Sequence, residues 1–384
     1  MNTSEENLSA NRFFPEIKRR FGFGCMRLPR IGDEVDIEQF KQMTDRFLAE
    51  GFNYFDTAHG YLRGKSELAI REGLTSRWPR ERYILTDKLT GGFFEKEEDI
   101  RPLFESQLKA CGVEYFDFYL MHAQGAGNYD KFRACRAYET AFELKKEGKV
   151  RHVGISFHDT AEFLDRILTD YPALEVVQIQ FNYADYEDPA VQSRKVYEVC
   201  RKHGKPVIVM EPVKGGNLVK LPEEAAAVFD ALGGGSYAGY ALRFAAGFEQ
   251  ICMILSGMSS LEQLEDNTAV MREPRPLDER EREAVERVNE IFHGKHLIPC
   301  TACRYCTEGC PQQILIPDLF HCYNSMGLFK TWNAAFYYED VYTVKNGKAS
   351  DCVGCGQCES VCPQHLPIRA LLKDVAKTFE KNEE

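Results

Sequence analysis

Residues 300–311 read Cys-Thr-Ala-Cys-Arg-Tyr-Cys-Thr-Glu-Gly-Cys-Pro, and residues 352–363 read Cys-Val-Gly-Cys-Gly-Gln-Cys-Glu-Ser-Val-Cys-Pro. Both stretches follow the pattern C-x₂-C-x₂-C-x₃-C-P. One short loop can carry the first three thiols around a common centre, while the fourth thiol leaves in another direction. The proline keeps the local turn from continuing into a helix. This doubled run therefore decides which kind of fold the C-terminal part of the chain can adopt.

The spacing is the one by which cysteines hold iron–sulfur cubanes, because the loop aims three thiolates at three irons. Disulfides are one alternative, but the first ten residues form no apolar signal segment of the kind that precedes a secreted chain. Structural zinc is another, but its ligands usually come in well-separated pairs. We therefore predict two [4Fe–4S] clusters. Their predicted ligands are Cys300, Cys303, Cys306, Cys310, Cys352, Cys355, Cys358 and Cys362.

The doubled run resembles the two-cluster domain of bacterial-type ferredoxins. In that family the fourth cysteine of each run serves the other cluster. The resemblance implies that Cys362 completes the cluster of the first run and that Cys310 completes the cluster of the second. We predict a smaller C-terminal ferredoxin-like domain over residues 293–384. The stretch between the runs is rich in aromatic residues, which predicts a docking face, with a lid over a substrate pocket as the alternative.

The chain of 384 residues is long enough for one large domain beside this small one. Its net charge of −11 argues against nucleic acid as a partner. No uninterrupted apolar stretch approaches the length of a membrane span. Fourteen cysteines without a signal segment predict a reducing, cytoplasmic location. The expected partners are a small-molecule substrate and, through the clusters, a redox protein.

Eight short apolar runs alternate with amphipathic helical stretches before residue 292. The runs are nearly continuous in apolar character, as strands are when helices cover a parallel sheet. Eight such units over about 270 residues predict an α/β fold, a (β/α)₈ TIM barrel spanning residues 1–292. A doubly wound open sheet is the alternative, but residues 21–27 carry no glycine fingerprint that opens a helix. The predicted strands are residues 21–26, 52–56, 83–86, 116–121, 150–156, 176–180, 206–210 and 252–256.

Catalytic groups of such barrels lie at the C-terminal ends of the strands. Reading off these ends selects Asp56, Lys88 and His122, and the loop after Asp56 adds Tyr61. Taken singly, each residue has an ordinary structural explanation, such as a cap, a solvated lysine or a structural histidine. Their joint occurrence at successive strand ends predicts one catalytic site.

Residues 52–61 (Phe-Asn-Tyr-Phe-Asp-Thr-Ala-His-Gly-Tyr), 86–89 (Thr-Asp-Lys-Leu) and 119–122 (Tyr-Leu-Met-His) resemble the catalytic motifs of the aldo/keto reductases. Later landmarks follow in the same order up to residues 257–267, so the resemblance covers nearly all of residues 15–292. It implies an enzyme, an oxidoreductase that reduces a carbonyl or oxidises an alcohol with a nicotinamide nucleotide.

The resemblance implies that Tyr61 is the proton donor of the reduction. A phenol with an ordinary pKa near 10 is a poor acid unless its phenolate is stabilised. We expect the ammonium of Lys88, held in place by Asp56, to make this phenol more acidic. We expect His122 to orient the substrate oxygen. His59, although close in sequence, is predicted to be a loop residue outside this quartet.

The resemblance also implies the contacts of NAD(H) or NADP(H). Ser156 and Gln180 would hold the nicotinamide carboxamide. The pyrophosphate and the adenosine would be lined by Glu211, Val213, Lys214, Gly215, Met258, Ser260, Gln263 and Asn267.

Several positions depart from the family pattern. Phe157 stands where an asparagine often follows the serine, and Met210 stands where a ring often stacks on the nicotinamide. Gly257 and Gln263 stand where Lys and Arg often hold the 2′-phosphate of NADPH with charge-assisted bonds. NADH is therefore at least as plausible as NADPH, with Lys214 as the only nearby cation that the sequence indicates.

Two functions remain open at this point. Clusters pass single electrons and nicotinamides exchange hydride, and no flavin motif is evident between them. One hypothesis is a nicotinamide-dependent oxidoreductase fused to an electron-transfer domain. The alternative is an electron-transfer or redox-sensing protein whose barrel binds a nucleotide or a partner without turnover. In either case the clusters could be structural.

Overall fold

The computed structural model describes residues 12–189, 191–295 and 297–380. Eight parallel strands close into a barrel, in which each strand pairs with its neighbours in sequence and the first pairs with the last. The predicted TIM barrel is confirmed, and each predicted run contains one barrel strand. A short antiparallel ribbon stands apart from the barrel, made of β2 (Arg30–Ile31) and β3 (Glu34–Val35). The barrel strands are β1 (Phe21–Gly24), β4 (Tyr54–Asp56), β5 (Ile84–Leu89), β6 (Phe116–Gln124), β7 (Val150–Phe157), β8 (Val176–Gln180), β9 (Val207–Met210) and β10 (Ile251–Gly257).

Helices connect the strands and cover the outside of the barrel. They are α1 (Ile37–Ala49), α2 (Lys65–Ile70), α3 (Glu97–Cys111), α4 (Tyr129–Ala134), α5 (Ala137–Lys146), α6 (Ala161–Asp170), α7 (Ser193–Lys202), α8 (Glu223–Asp230), α9 (Tyr237–Ala246), α10 (Leu261–Arg272) and α11 (Glu279–Gly294).

Helix α1 shows how the sequence builds this layer. Asp36 caps its first turn, because the carboxylate accepts a hydrogen bond from the Gln39 amide at 3.0 Å. Phe40, Met43 and Phe47 then recur at helical spacing and are fully buried. They pack with the outward-facing side chains of the strands in one continuous core. The barrel interior is filled separately, so it is a packed core and not a pore.

The C-terminal region folds around a second core of its own. Its two cysteine loops have the same backbone conformation. Ala302 and Arg304 in the first loop have positive φ, and Gly354 and Gly356 occupy the same positions with positive φ in the second. The repeat seen in the sequence is therefore also a repeat in space. The helices of this region are α12 (Tyr305–Glu308), α13 (Ile316–Phe329), α14 (Trp332–Phe336), α15 (Gln357–Ser360) and α16 (Ile368–Phe379).

The small region packs on the barrel through the end of α11. The rings of Phe292 and Phe329 meet edge to face with centroids 5.2 Å apart. Because α11 continues to Gly294, it crosses the predicted boundary between residues 292 and 293, and that division of the chain stays a prediction. Residues 1–11, 190, 296 and 381–384 of the two predicted domains lie outside the described residues.

Among the described residues, no helix combines the length and apolar character needed to span a bilayer.

Candidate active site and cluster sites

The four residues of the predicted quartet converge at the C-terminal end of the barrel. Asp56 is the last residue of β4, and Tyr61 begins the turn that follows. Strands β5 and β6 are longer than predicted, so Lys88 and His122 lie within strands rather than after them. A position inside a strand fixes the backbone more tightly than a loop does, and the direction of these two side chains is therefore well defined.

A buried ion pair forms the centre of the site. The Lys88 ammonium donates to Asp56 Oδ1 at 2.6 Å and to the carbonyl of Thr57 at 2.7 Å. Gln178 donates to the second carboxylate oxygen of Asp56 at 3.3 Å. The Lys88 side chain is 0% exposed. Burial by itself lowers the pKa of Lys88, but the Asp56 carboxylate and the Tyr61 phenol outweigh it and raise that pKa above its usual value. The lysine is therefore a charged ammonium.

Tyr61 lies directly beside this ammonium. The Lys88 nitrogen is 4.8 Å from the centroid of the Tyr61 ring and also hydrogen-bonds the phenol. Burial raises the pKa of Tyr61, and the Lys88 charge lowers it by less, so the pKa lies above its usual value. The expectation of a net acidified phenol is therefore wrong for the site without ligands. The hydroxyl is fully protonated at neutral pH, and the lysine limits the cost of its ionisation.

His122 stands across from Tyr61. The two rings meet edge to face, with centroids 5.7 Å apart. Burial, followed by the charge of Lys88, holds the pKa of His122 well below its usual range, so the imidazole is neutral. Its Nδ1 is 2.7 Å from the hydroxyl of Thr90. His59 hydrogen-bonds Glu67 at 3.0 Å, and the structure does not bring it into this group.

The predicted carboxamide contacts line the same mouth. Ser156 Oγ accepts a hydrogen bond from the Ala123 amide at 2.8 Å. Gln180, the last residue of β8, is 3% exposed and hydrogen-bonds Glu211 at 3.4 Å. Residues from three successive strand ends therefore surround one position, which is where the family resemblance expects the nicotinamide.

A groove of about 710 Å³ extends from Glu211 between the loops after β9 and β10. This volume is in the range of small-molecule sites. Five predicted nucleotide contacts line it, namely Glu211, Val213, Gly215, Gln263 and Asn267.

Three other predicted contacts do not line the groove. The Lys214 ammonium is buried against the Asp185 carboxylate and lies 4.8 Å above the Phe329 ring. Met258 is fully buried in the barrel core. Ser260 accepts a hydrogen bond from the Gln263 amide and so caps α10. The cation that the sequence indicated is thus engaged elsewhere.

Arg27 lines the groove instead, and the sequence reasoning missed it. Its aliphatic carbons lie over Gly257, where an added Cβ would be 3.1 Å from Arg27 Cβ. Its guanidinium reaches Gly215, where an added Cβ would be 3.0 Å from Arg27 Nη2. A cation at this point suits a pyrophosphate. The signal that could have found it is its position just after β1, because the residues after barrel strands line the mouth.

The eight cysteines of the doubled run surround two separate cavities. The first is lined by Cys300, Cys303 and Cys306 together with Cys362. The second is lined by Cys352, Cys355 and Cys358 together with Cys310. Ile316 borders both and separates them. The structure therefore brings together the two exchanged sets of four that the ferredoxin resemblance implies.

The spacing of these thiols fits a cluster better than a single ion. A tetrahedral zinc site with Zn–S bonds of about 2.3 Å holds its sulfurs about 3.8 Å apart. Within the part of the chain that the structure describes, only Glu67, Asp87 and Cys111 place three such ligand atoms within 4.8 Å of one another. No three thiols of either cavity are that close. The thiols thus leave room for a larger centre, and structural zinc does not fit.

Comparison with known families agrees with both parts of the chain. Residues 20–290 match the aldo/keto reductase family, and residues 299–366 match the 4Fe-4S dicluster domain. A solved aldo-keto reductase from Klebsiella pneumoniae in complex with NADPH superposes with a TM-score of 0.58, at 19% identity over 71% of this chain and 91% of that chain. At this identity the likeness concerns the fold.

Curated relatives are more distant in length. The NADH-specific methylglyoxal reductase of Escherichia coli is 27% identical over 185 residues, which are 44% of this chain and 54% of that protein. The L-galactose dehydrogenase of Arabidopsis thaliana is 25% identical over 273 residues, which are 66% of this chain and 84% of that protein. The chain thus spans only about half the length of the first of these relatives.

The exchanged cysteine sets predict which variants lose the same cluster. Cys303→Ala and Cys362→Ala should each lower the iron content from about eight to about four per chain and remove the same cluster signal from the electron paramagnetic resonance spectrum of the reduced protein. Cys355→Ala should remove the other signal. Cys200→Ala, which changes a buried thiol of α7, is the control and should keep both. Loss of the same signal from Cys362→Ala and Cys355→Ala would contradict the exchange.

Proposed function

The chain belongs to the aldo/keto reductase family, and we propose that it reduces a carbonyl, or oxidises the corresponding alcohol, with Tyr61 as proton donor and with two clusters that exchange electrons. Its oxidoreductase class and its C-terminal 4Fe-4S dicluster domain follow from the family matches. The reaction, the roles of single residues and the substrate belong to the proposal.

The observation that carries this proposal is the buried ammonium of Lys88 beside the Tyr61 phenol. A fully buried lysine is costly unless it is paired, and pairing with Asp56 keeps it charged. When Tyr61 gives up its proton to a substrate oxygen, the phenolate forms next to a positive charge that is already in place. Because this stabilisation exists only once the phenolate develops, it acts on the transition state.

The remaining groups orient the substrate. If the Thr90 hydroxyl donates to His122 Nδ1, the imidazole carries its proton on Nε2 and can donate to the carbonyl oxygen. A reduced nicotinamide bound against Ser156 and Gln180 would supply hydride to the carbonyl carbon. Tyr61 then delivers the proton to the oxygen, and alcohol oxidation uses the same groups in reverse.

The clusters give this enzyme a second route for electrons. Cys303 and Cys355, one from each cavity, are exposed. We propose that both clusters lie near enough to the surface to exchange single electrons with a redox protein. Since no disulfide joins the fourteen cysteines of the described chain, we also propose that the protein works in a reducing compartment such as the cytoplasm.

The charge of the groove bears on the choice of nucleotide. Glu262 and Asp266 line the groove on either side of Gln263. A carboxylate can accept a hydrogen bond from the 2′-hydroxyl of NADH but repels the 2′-phosphate of NADPH. We therefore propose NADH as the preferred coenzyme.

Tyr61→Phe tests the catalytic role. With 4-nitrobenzaldehyde as the probe carbonyl, we expect kcat/KM to fall by about 10²–10⁴-fold, because the proton donor is lost. Nucleotide affinity should stay within about twofold, since the ring remains. Tyr115→Phe is the matched control, because this tyrosine lies at the opposite end of the barrel, where its hydroxyl bonds Arg151. Unchanged turnover in Tyr61→Phe would favour the reading of the barrel as a scaffold without catalysis.

The pH profile of reduction follows from the two pKa directions. Tyr61 must be protonated to act, and its pKa is raised by burial, so kcat/KM should be flat up to about pH 9 and fall above about pH 10. His122 is neutral because its pKa is well below its usual range, so no inflection should occur between about pH 6 and pH 8. Samples returned to neutral pH must regain full activity. An inflection near pH 6.5 would contradict the neutral imidazole.

Gln263→Arg tests the assignment of the adenosine end. An arginine in place of this glutamine would offer a charge-assisted pair to a 2′-phosphate, so the ratio of NADPH to NADH affinity should rise about tenfold. Ser106→Arg adds the same charge at an exposed position of α3 and should leave the ratio unchanged. An unchanged ratio in Gln263→Arg would remove α10 from the nucleotide site. Dissociation constants from anaerobic fluorescence titration provide the readout.

A further inference from the structure

The segment between the two cysteine runs lies against the mouth of the barrel. His158, just beyond β7, meets the Phe336 ring at 5.2 Å and the Trp332 ring at 6.3 Å, measured between centroids. Tyr337 follows α14, is buried, and reaches Gln180 of the barrel. The cluster region therefore borders the position of the nicotinamide directly.

Tyr337 fixes the orientation of the Gln180 amide. The Tyr337 hydroxyl donates to Gln180 Oε1 at 2.9 Å, and His158 Nδ1 lies 3.2 Å from the same oxygen. Burial raises the pKa of Tyr337 well above its usual value, so its hydroxyl stays protonated and able to donate. Gln180 Nε2 then faces Glu211 with one hydrogen and keeps the other for a ligand.

Asn333 has an unsatisfied acceptor at the same place. Its Nδ2 donates to the Glu211 carboxylate, which fixes the direction of the amide. Its Oδ1 is buried and accepts no hydrogen bond from any described residue. The residue as a whole is only 4% exposed. A buried carbonyl oxygen without a donor is unfavourable, so this atom indicates a donor that binds there.

The barrel lacks its own residue for this role. Family members often carry an asparagine after the serine, but here Phe157 occupies that position. Phe157 is 2% exposed and packs in the hydrophobic core. Next to Ser156, therefore, the strand offers no amide to a carboxamide ligand.

We propose that Asn333 takes over this contact, with its Oδ1 accepting a hydrogen bond from the NH₂ group of the nicotinamide carboxamide. Tyr337 is a positioning residue, because it holds Gln180 with Nε2 directed to donate to the carboxamide oxygen. The cluster region thus completes the nicotinamide site of the barrel. This inference rests on the proposed nicotinamide-dependent function.

A nucleotide analogue separates this contact from a purely structural role. The reduced 3-acetylpyridine analogue of NADH carries a methyl group in place of the carboxamide NH₂ and cannot donate to Asn333. Wild-type holoprotein should bind NADH about tenfold more tightly than the analogue, as expected when a buried acceptor loses its only donor. In Asn333→Ala this preference should fall to about onefold, with affinity for the analogue nearly unchanged. A structural defect would weaken both nucleotides alike.

Two further variants complete the experiment. Asn346→Ala is the matched control, because this asparagine lies in the same segment but bonds only locally, to the Tyr342 carbonyl at 3.1 Å. It should keep the wild-type preference. Tyr337→Phe should raise KM for NADH about threefold and leave kcat nearly unchanged, since Gln180 holds the ground state and the transition state alike.

Each measurement is made anaerobically, and iron content verifies that the clusters are intact. Retention of the tenfold preference in Asn333→Ala would overturn the contact while leaving the proposed function standing. Failure of wild-type protein to bind either nucleotide would overturn the proposed function and this inference together.

Discussion

The active end of the barrel depends on one buried ion pair, between Lys88 and Asp56. Removing two such charges from water costs several kcal/mol per ion, and an apolar pair of the same volume would often be at least as stable. The pair is therefore better explained by chemistry than by stability. It holds a positive charge beside Tyr61 while the surrounding core excludes water, so the charge is weakly screened when a phenolate develops. Loss of either partner would leave the other buried and uncompensated.

The cluster region shares the site with the barrel. Its core is small, and the eight thiols lie between the helices that form it. Metal binding in such small regions contributes directly to folding, because the ligands come together only in the folded chain. The segment that contacts Gln180 and Glu211 is held between the two cysteine loops. Cluster content and nucleotide affinity are thus physically linked through the position of a few side chains, without any electron passing between the two centres.

Sequence reasoning succeeded where the chemistry is local and failed where neighbours compete. The quartet was found because strand ends meet at one edge of a parallel barrel, whatever the details of the loops. Lys214 was misleading because the chain turns there through a left-handed conformation, with φ of 48°, and its ammonium meets Asp185 rather than the groove. The net effect on the Tyr61 pKa was also misjudged, since burial opposes the lysine and only the packed structure shows which is larger.

The sequence by itself determined the barrel, the identity of the quartet and the cysteine spacing. Apolar periodicity and loop geometry depend on residues close together in the chain, so they can be read in one dimension. Only the tertiary structure decided that Arg27 enters the groove over Gly257, and that Asn333 brings a free carbonyl oxygen to Glu211. These contacts join residues more than a hundred positions apart. The packing of whole elements sets such distances, and no local pattern records them.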